Sequence, residues 1–272
     1  MIRNLIANSR WGEFGGSVFM CYNALVLEPT EDEGVILGRQ DYRDFDRIIT
    51  AITKEHGVLA FLAKGVRKAG SKNAPGVDLM THSRLEFIGA HHLRTLIRAN
   101  PLDDVVISPA ALDVMAAARL LGEVVETTSP VQQPNPALYE ALLVTLEFLA
   151  KSQSLAETET VLCQGLMSFS RIIGFAPELN VCHDCEKPVV KAAVFDLNVG
   201  AISHPSCSGY SPWNRKLTPD MLETLRAIVR QEPISANAAM TPVRRLLVAH
   251  LAHQTEHVFT SEEMLDDFTM AF

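Results

Sequence analysis

Four side chains in this sequence have the types and spacing of a metal site. Cys182 and Cys185 form a C-x2-C pair, and 18 residues later His204 and Cys207 form an H-x2-C pair. Two residues between ligands suit a tight turn, so each pair converges on one point, and the loop between them closes a tetrahedron fit for one zinc ion. Four protein ligands leave no open position for water or substrate, so one Zn2+ per chain would stabilise the fold rather than activate a nucleophile. His183, inside the first pair, is a rival fourth ligand but is badly placed to meet the same ion as both neighbours. Unmetallated free thiols are the plainer alternative.

Three of the five cysteines fall in this stretch, whereas Cys21 and Cys163 stand apart in apolar surroundings and read as buried small hydrophobes. Such clustering marks a metal site rather than a disulfide framework, and it implies a reducing, cytoplasmic compartment.

A second cluster is cationic. Lys64, Arg67, Lys68 and Lys72 fall within nine residues, with Gly65 and Gly70 among them, and no acid lies between Glu55 and Asp78. Such a loop can track a nucleic-acid backbone with salt-dependent, sequence-independent affinity, though an ordinary solvated loop has the same composition. Arg39, Arg43 and Arg47 add cations nearby, interleaved with Asp41, Asp44 and Asp46 as local partners. Tyr42, Phe45, Phe61 and Phe87 are the aromatic candidates for base stacking, and at least two of them are expected in the core.

Catalytic signatures are absent: there is no G-x-x-x-x-G-K-[ST] loop, no H-E-x-x-H and no G-x-S-x-G. A non-enzymatic protein is expected. His250, His253 and His257 recur at helical spacing, where two could share a metal, but a polar helix face explains them more simply. A net charge of −8 excludes a chain coated in cations, and the deficit is concentrated in residues 101–180, with 3 basic against 10 acidic side chains. No apolar run is long enough to span a membrane.

These residues need elements to position them. The chain is expected to be an α+β multidomain protein. Residues 1–32 read as an N-terminal extension whose composition is compatible with a disordered tail, within which Met20 is an alternative start. Residues 33–101 offer five short strands, Val35 to Arg39, Arg47 to Thr53, Val58 to Lys64, Arg84 to Ile88 and Leu93 to Ala99, which suit an OB-like barrel. Residues 102–179 and 213–272 form two parts of a helical domain, with the zinc-binding element at 180–212. Helix starts are expected at Ser108-Pro109, Asn135-Pro136, Thr218-Pro219 and Thr241-Pro242, each a capping side chain before a proline. A further helix runs from Leu155 to Ile173 and stops at Gly174, and a short last one begins at Ser261. Leu138, Ala141, Leu142, Thr145, Leu146 and Leu149, widened by Leu143 and Phe148, make an apolar face for the core. Val194, Phe195, Ala201 and Ile202 flank an Asn198-Val199-Gly200 turn, predicting a β-hairpin between the cysteine pairs.

Several of these stretches resemble the RecO family. Gly34-Val35-Ile36-Leu37, Asp41-Tyr42-Arg43-Asp44-Phe45-Asp46-Arg47, Thr53-Lys54-Glu55-His56-Gly57 and Ala63-Lys64-Gly65-Val66-Arg67-Lys68 are similar to its N-terminal signature. Gly174-Phe175-Ala176-Pro177 is similar to the approach to its zinc-binding region. The resemblance runs from about Gly34 onward and implies an OB-fold followed by a helical domain with an inserted zinc-ribbon-like element. It also implies RecFOR-type recombinational repair: binding single- and double-stranded DNA, annealing complementary strands, and acting with RecR and single-strand-binding protein to help load RecA, in the cytoplasm at the nucleoid. DNA contact carries over to Lys64, Arg67, Lys68 and Lys72. The chain departs from the family pattern at His204, where many zinc-binding members have cysteine, in its longer preface, and in its acidic middle. The acidic middle leaves the barrel and the C-terminal helices as the expected DNA surfaces; on those helices Arg226, Arg230, Arg244 and Arg245 are candidates, although solvated helix faces explain them equally well. The competing reading is a zinc-containing protein-interaction scaffold with secondary DNA contact.

Overall fold

The computed structural model describes residues 28–89, 92–102, 105, 107–108, 111–234 and 239–270, with side chains to residue 267. The expected N-terminal extension, Met20 and Cys21 lie outside the described residues.

Five strands, β1 (Thr30–Tyr42), β2 (Asp46–Thr53), β3 (Gly57–Ala63), β4 (His82–Ile88) and β5 (Leu93–Pro101), close a barrel in the order β1-β2-β3-β5-β4. β3 and β5 run parallel, and the other neighbours are antiparallel. This is the topology of an OB-like barrel. Ile36, Ile49, Ala51, Leu59, Phe61, Leu85, Phe87, Leu96 and Ala99 fill its interior.

β1 is longer than the Val35 to Arg39 strand that the sequence pattern suggested, because it takes in the acidic run Glu31-Asp32-Glu33, part of which falls in the expected N-terminal extension. β4 supplies the compensating charge: Arg84 meets Glu31 at 3.3 Å and Glu33 at 3.0 Å. Buried Asp32 accepts hydrogen bonds from the backbone N–H of Glu33 and Glu55 and lies 2.7 Å from His56 Nδ1.

The helical domain comprises α1 (Leu112–Thr128), α2 (Pro136–Lys151), α3 (Leu155–Ile172), α4 (Pro219–Arg230), α5 (Met240–Thr255) and α6 (Ser261–Met270). Asn135 and Thr218 cap α2 and α4 as their sequence contexts predict, accepting from the N–H of Leu138 and Met221. Gly174, with φ +86°, follows the end of α3. Two starts differ. α1 begins at Leu112 behind Ala111, and Pro109 lies outside the described residues. α5 begins at Met240 behind Ala239, which puts Pro242 inside the first turn, where its missing N–H is equally harmless. On α2, Leu138, Leu142, Thr145, Leu146 and Leu149 are buried as the stripe requires, but Phe148 faces solvent.

Val35, Leu37, Ile52, Val58 and Met80 turn outward from the barrel and share one continuous core with the helices. The joint is reinforced by a parallel bridge between Val58 and Val131 and by His82 Nε2 against Tyr139 Oη at 2.9 Å. Between α3 and α4 the chain forms a small three-stranded sheet, β6 (Ala193–Asp196), β7 (Ala201–Ser203) and β8 (Asn214–Leu217), in the order β7-β6-β8. The hairpin is the expected one, whereas polar β8 carried no strand signal. No helix among the described residues is long and apolar enough to cross a membrane.

Candidate metal centre and nucleic-acid interface

The small sheet positions the metal-ligating residues. The first knuckle, 180–189, is a tight hairpin in which Cys182 N donates to Lys187 O and Glu186 N to Cys182 O, both at 2.9 Å, with Glu186 at φ +58°. β7 leads into the second knuckle, where Cys207 N donates to His204 O at 2.9 Å. The knuckles meet because His183 N donates to Ile202 O at 2.8 Å. Cys182, Cys185, His204 and Cys207 thereby bring one ligand atom each to within 4.8 Å of the others, an arrangement that can hold a metal ion. His183 is not among them. It is exposed to solvent.

Electrostatics in the cluster suit a cation. Although burial opposes it, N–H groups of His204, Cys185 and Asp184 aimed at the Cys182 sulfur hold that thiol's pKa down at about 5. A hydrogen bond with Cys185 pushes Cys207 the other way. His204 Nδ1 lies 3.4 Å from Cys185 Sγ, and its Nε2 lies 3.1 Å from the Pro188 carbonyl. An N–H at Nε2 donated to that carbonyl leaves the Nδ1 lone pair for a metal, the usual outer support of a ligating histidine. Pro188 and Arg226 carried no such signal in the sequence. Arg226 donates to Leu179 O at 2.9 Å and Val189 O at 2.6 Å, fastening the first knuckle to α4.

The basic residues gather by a different route. After β3 the chain folds back on the β1–β2 turn: Arg67 N donates to Phe45 O at 3.0 Å and Gly65 N to Asp46 Oδ1 at 2.7 Å, while Val66 plugs the barrel core. Asn73 pins the far side of this loop to β5, donating to Ile97 O and accepting from Ala99 N. Lys64, Arg67, Lys68 and Lys72 are thereby held in solvent. Arg43, at φ +54° in the β1–β2 turn, joins them.

Their charges are unequally available. Arg39 is paired with Asp78, Arg47 with Asp41 at 2.8 Å, and Arg67 with Asp41 at 3.2 Å. The hydrogen bond from Arg47 holds Asp41 below the usual carboxylate range. Among the described residues, Arg43, Lys64, Lys68 and Lys72 have no carboxylate partner. Instead Lys68 sits over Phe45 and Arg43 over Tyr42, with cation-to-ring distances of 5.6 and 5.1 Å. Both rings are exposed, whereas Phe61 and Phe87 pack edge-on inside the barrel.

The C-terminal arginines do not extend this surface. Arg244 is wholly buried among Glu159, Glu262 and Asp266, and Arg226 is occupied by backbone carbonyls. Arg230 is paired with Glu223 and Glu232, and Arg245 with Asp266. Nor do the three histidines form a face. His250 is buried with Nε2 on Phe175 O, its pKa lowered by desolvation; His253 lies against Trp213 and Asn198; and His257 falls beyond the end of α5.

Comparison with known proteins agrees with this architecture. Residues 27–104 match the family model "Recombination protein O N terminal", and residues 109–263 match "Recombination protein O C terminal". The chain belongs to the RecO family. Among curated relatives, the DNA repair protein RecO of Heliobacterium modesticaldum is 26% identical over 206 residues, covering 74% of each chain. The DNA repair protein RecO of Symbiobacterium thermophilum is 23% identical over 248 residues, 88% of this chain and 97% of the relative. That of Pelotomaculum thermopropionicum is 23% identical over 246 residues, 88% and 94% of the two chains. Within the RecO framework, the first family model spans the barrel with its cationic loop and the second spans the helices with the cysteine knuckles.

Proposed function

We propose that this protein is a non-enzymatic mediator of recombinational DNA repair. It binds single- and double-stranded DNA at the cationic end of its barrel, anneals complementary strands, and acts with RecR on DNA coated by single-strand-binding protein to help load RecA, in the cytoplasm at the nucleoid. The observation that carries the reading is the set of Arg43, Lys64, Lys68 and Lys72, without carboxylate partners among the described residues and interleaved with exposed Tyr42 and Phe45. Cations held by a fixed backbone supply affinity through counterion release, and exposed rings supply sequence-tolerant stacking on unpaired bases. Repair is the role named in its relatives.

The donor set of three sulfurs and one imidazole fits a structural Zn2+, held by Cys182, Cys185, His204 and Cys207. Bound there, the ion cross-links the two knuckles. The protein's own contribution is to orient His204 through Pro188 and to tie the knuckle to α4 through Arg226.

The deciding experiment is binding to fluorescent single-stranded DNA across a salt series, followed by strand annealing, with Lys64→Glu/Lys68→Glu beside the parent. Steep salt dependence that collapses in the double variant is expected. Unchanged DNA binding together with lost capture of RecR or single-strand-binding protein would turn the reading to a protein-interaction scaffold.

A further inference from the structure

The sheet β7-β6-β8 has two faces of different character. One packs on α5, where Phe195 meets His250 edge-on at 5.4 Å. The other, opposite α5, floors a cavity of about 210 Å³. Val194, Asp196, Ala201, Ser203 and Asn214 form that floor, because the register pairs Val194 with Ser203 and Asp196 with both Ala201 and Asn214. Paired residues across an antiparallel ladder project to the same side, so Lys216, opposite Val194, continues this face. The walls are His183 and Asp184 from the first knuckle and residues 208–211 after the second.

Tyr210 stands on the rim. The residue is fully exposed, at 101%, and the peptide leading into it is tethered, since Asn214 Nδ2 donates to Gly209 O at 2.8 Å. A ring this open to solvent, beside a hydrogen-bonding cavity, presents both of its faces for stacking. The cavity beside it offers hydroxyls, an amide and carboxylates at Ser203, Ser208, Asn214, Asp184 and Asp196, a mixture of donors and acceptors. Two carboxylates there repel an anion, while Lys216, exposed and without a carboxylate partner among the described residues, attracts one at the end of the same face. A flat, neutral, hydrogen-bonding group joined to an anion is what a nucleotide is. An acidic peptide would bring its charge against Asp184 and Asp196.

We propose that this face is a second single-strand subsite, which stacks one base on Tyr210, reads its edge in the cavity and directs its phosphate to Lys216. The subsite rests on the DNA-binding reading above and extends it to a part of the molecule remote in sequence from the barrel. Such a site would let the protein hold a strand at two points.

The test uses the full-length, zinc-loaded protein and a single-stranded oligothymidylate carrying 5-iododeoxyuridine, cross-linked by light and mapped by peptide mass spectrometry. An adduct on Tyr210 is expected beside adducts at the barrel end. Tyr210→Ala should abolish it and weaken binding on the order of tenfold, Tyr210→Phe should keep both, and Lys216→Glu should flatten the salt dependence by about one counterion. Unchanged metal content in each variant shows that the ribbon is folded. Adducts confined to Tyr42 and Phe45, with parental affinity in Tyr210→Ala, would overturn the subsite and leave the barrel reading standing. Absence of DNA binding in the parent would overturn both.

Discussion

Arg244 on α5 donates through Nε to both carboxylate oxygens of Glu159 on α3, at 3.0 and 3.1 Å, and neither side chain is more than marginally exposed. Its remaining nitrogens reach Glu262 at 3.2 Å and Asp266 at 2.6 Å, so one guanidinium ties the last helix to the bundle. Removing the cation would leave Glu159 buried without its partner. Arg244→Met is expected to lower stability by about 3–5 kcal/mol, read from urea unfolding. A loss under about 1 kcal/mol would contradict the clasp and return Arg244 to the solvated helix face that its sequence context suggests.

The same cluster sets a pH dependence. Two arginines, Arg244 and Arg245, face three carboxylates, so the least favoured carboxylate resists ionisation. Burial, only partly offset by Arg244, pushes Glu262 up to about 7. A folded-state pKa above the unfolded value means that the neutral acid is preferred in the fold. Its stabilising contribution is therefore complete below about pH 4.5 and is lost as pH rises through about 7, by at most about 3 kcal/mol. Glu262→Gln should remove that loss, so parent and variant diverge in stability between about pH 5 and 8. Parallel curves over that range would contradict the assignment.

The metal centre predicts a local dependence. His204→Cys should keep one equivalent of metal, because a fourth thiolate suits the same tetrahedron, whereas His204→Ala and Cys185→Ala should lose it. Chelation of the parent should expose residues 178–217 to limited proteolysis while the barrel stays intact, since the barrel core contains no residue of the ribbon. Full metal content in Cys185→Ala would show that the four residues do not act as one site.

Availability of charge, rather than its presence, should rank the barrel cations. Lys68→Ala is expected to weaken DNA binding and reduce the salt slope by about one. Arg39→Ala should do much less, because Asp78 already neutralises Arg39. Equal effects on the salt slope would show that DNA displaces Asp78. The test therefore separates a preformed track from one assembled on binding.

Much of this was legible in the sequence because the signals are local. Strand alternation gave the barrel, Asn135 and Thr218 marked helix starts through their own hydrogen bonds, and the spacing of four ligands gave the metal cluster. What escaped depends on partners far along the chain. Glu31 and Glu33 precede the first strand that the sequence pattern marks, at Val35, and are met across the sheet by Arg84, some fifty residues on, while polar β8 is a strand only through its pairing with β6. Arg244 and Arg226 read as surface cations, and no neighbour in sequence foretells Glu159 or the carbonyls of Leu179 and Val189.

The joint between barrel and helices offers the last prediction. Gly57 opens β3 at φ +72°, and a Cβ there would lie 2.2 Å from the Gln133 carbonyl oxygen, next to the hydrogen bond from Gln132 N to Val58 O. Gly70 has a similar φ of +78° but nothing within 4 Å of its Cβ position. Both substitutions to alanine incur left-handed strain of about 1 kcal/mol, and only Gly57→Ala also drives the 131–133 segment off the barrel edge. Gly57→Ala should thus destabilise by about 2 kcal/mol or more and split unfolding into separate barrel and helical transitions, whereas Gly70→Ala should shift the single transition slightly. Matching curves for the two variants would show that the 131–133 contact does not couple the domains.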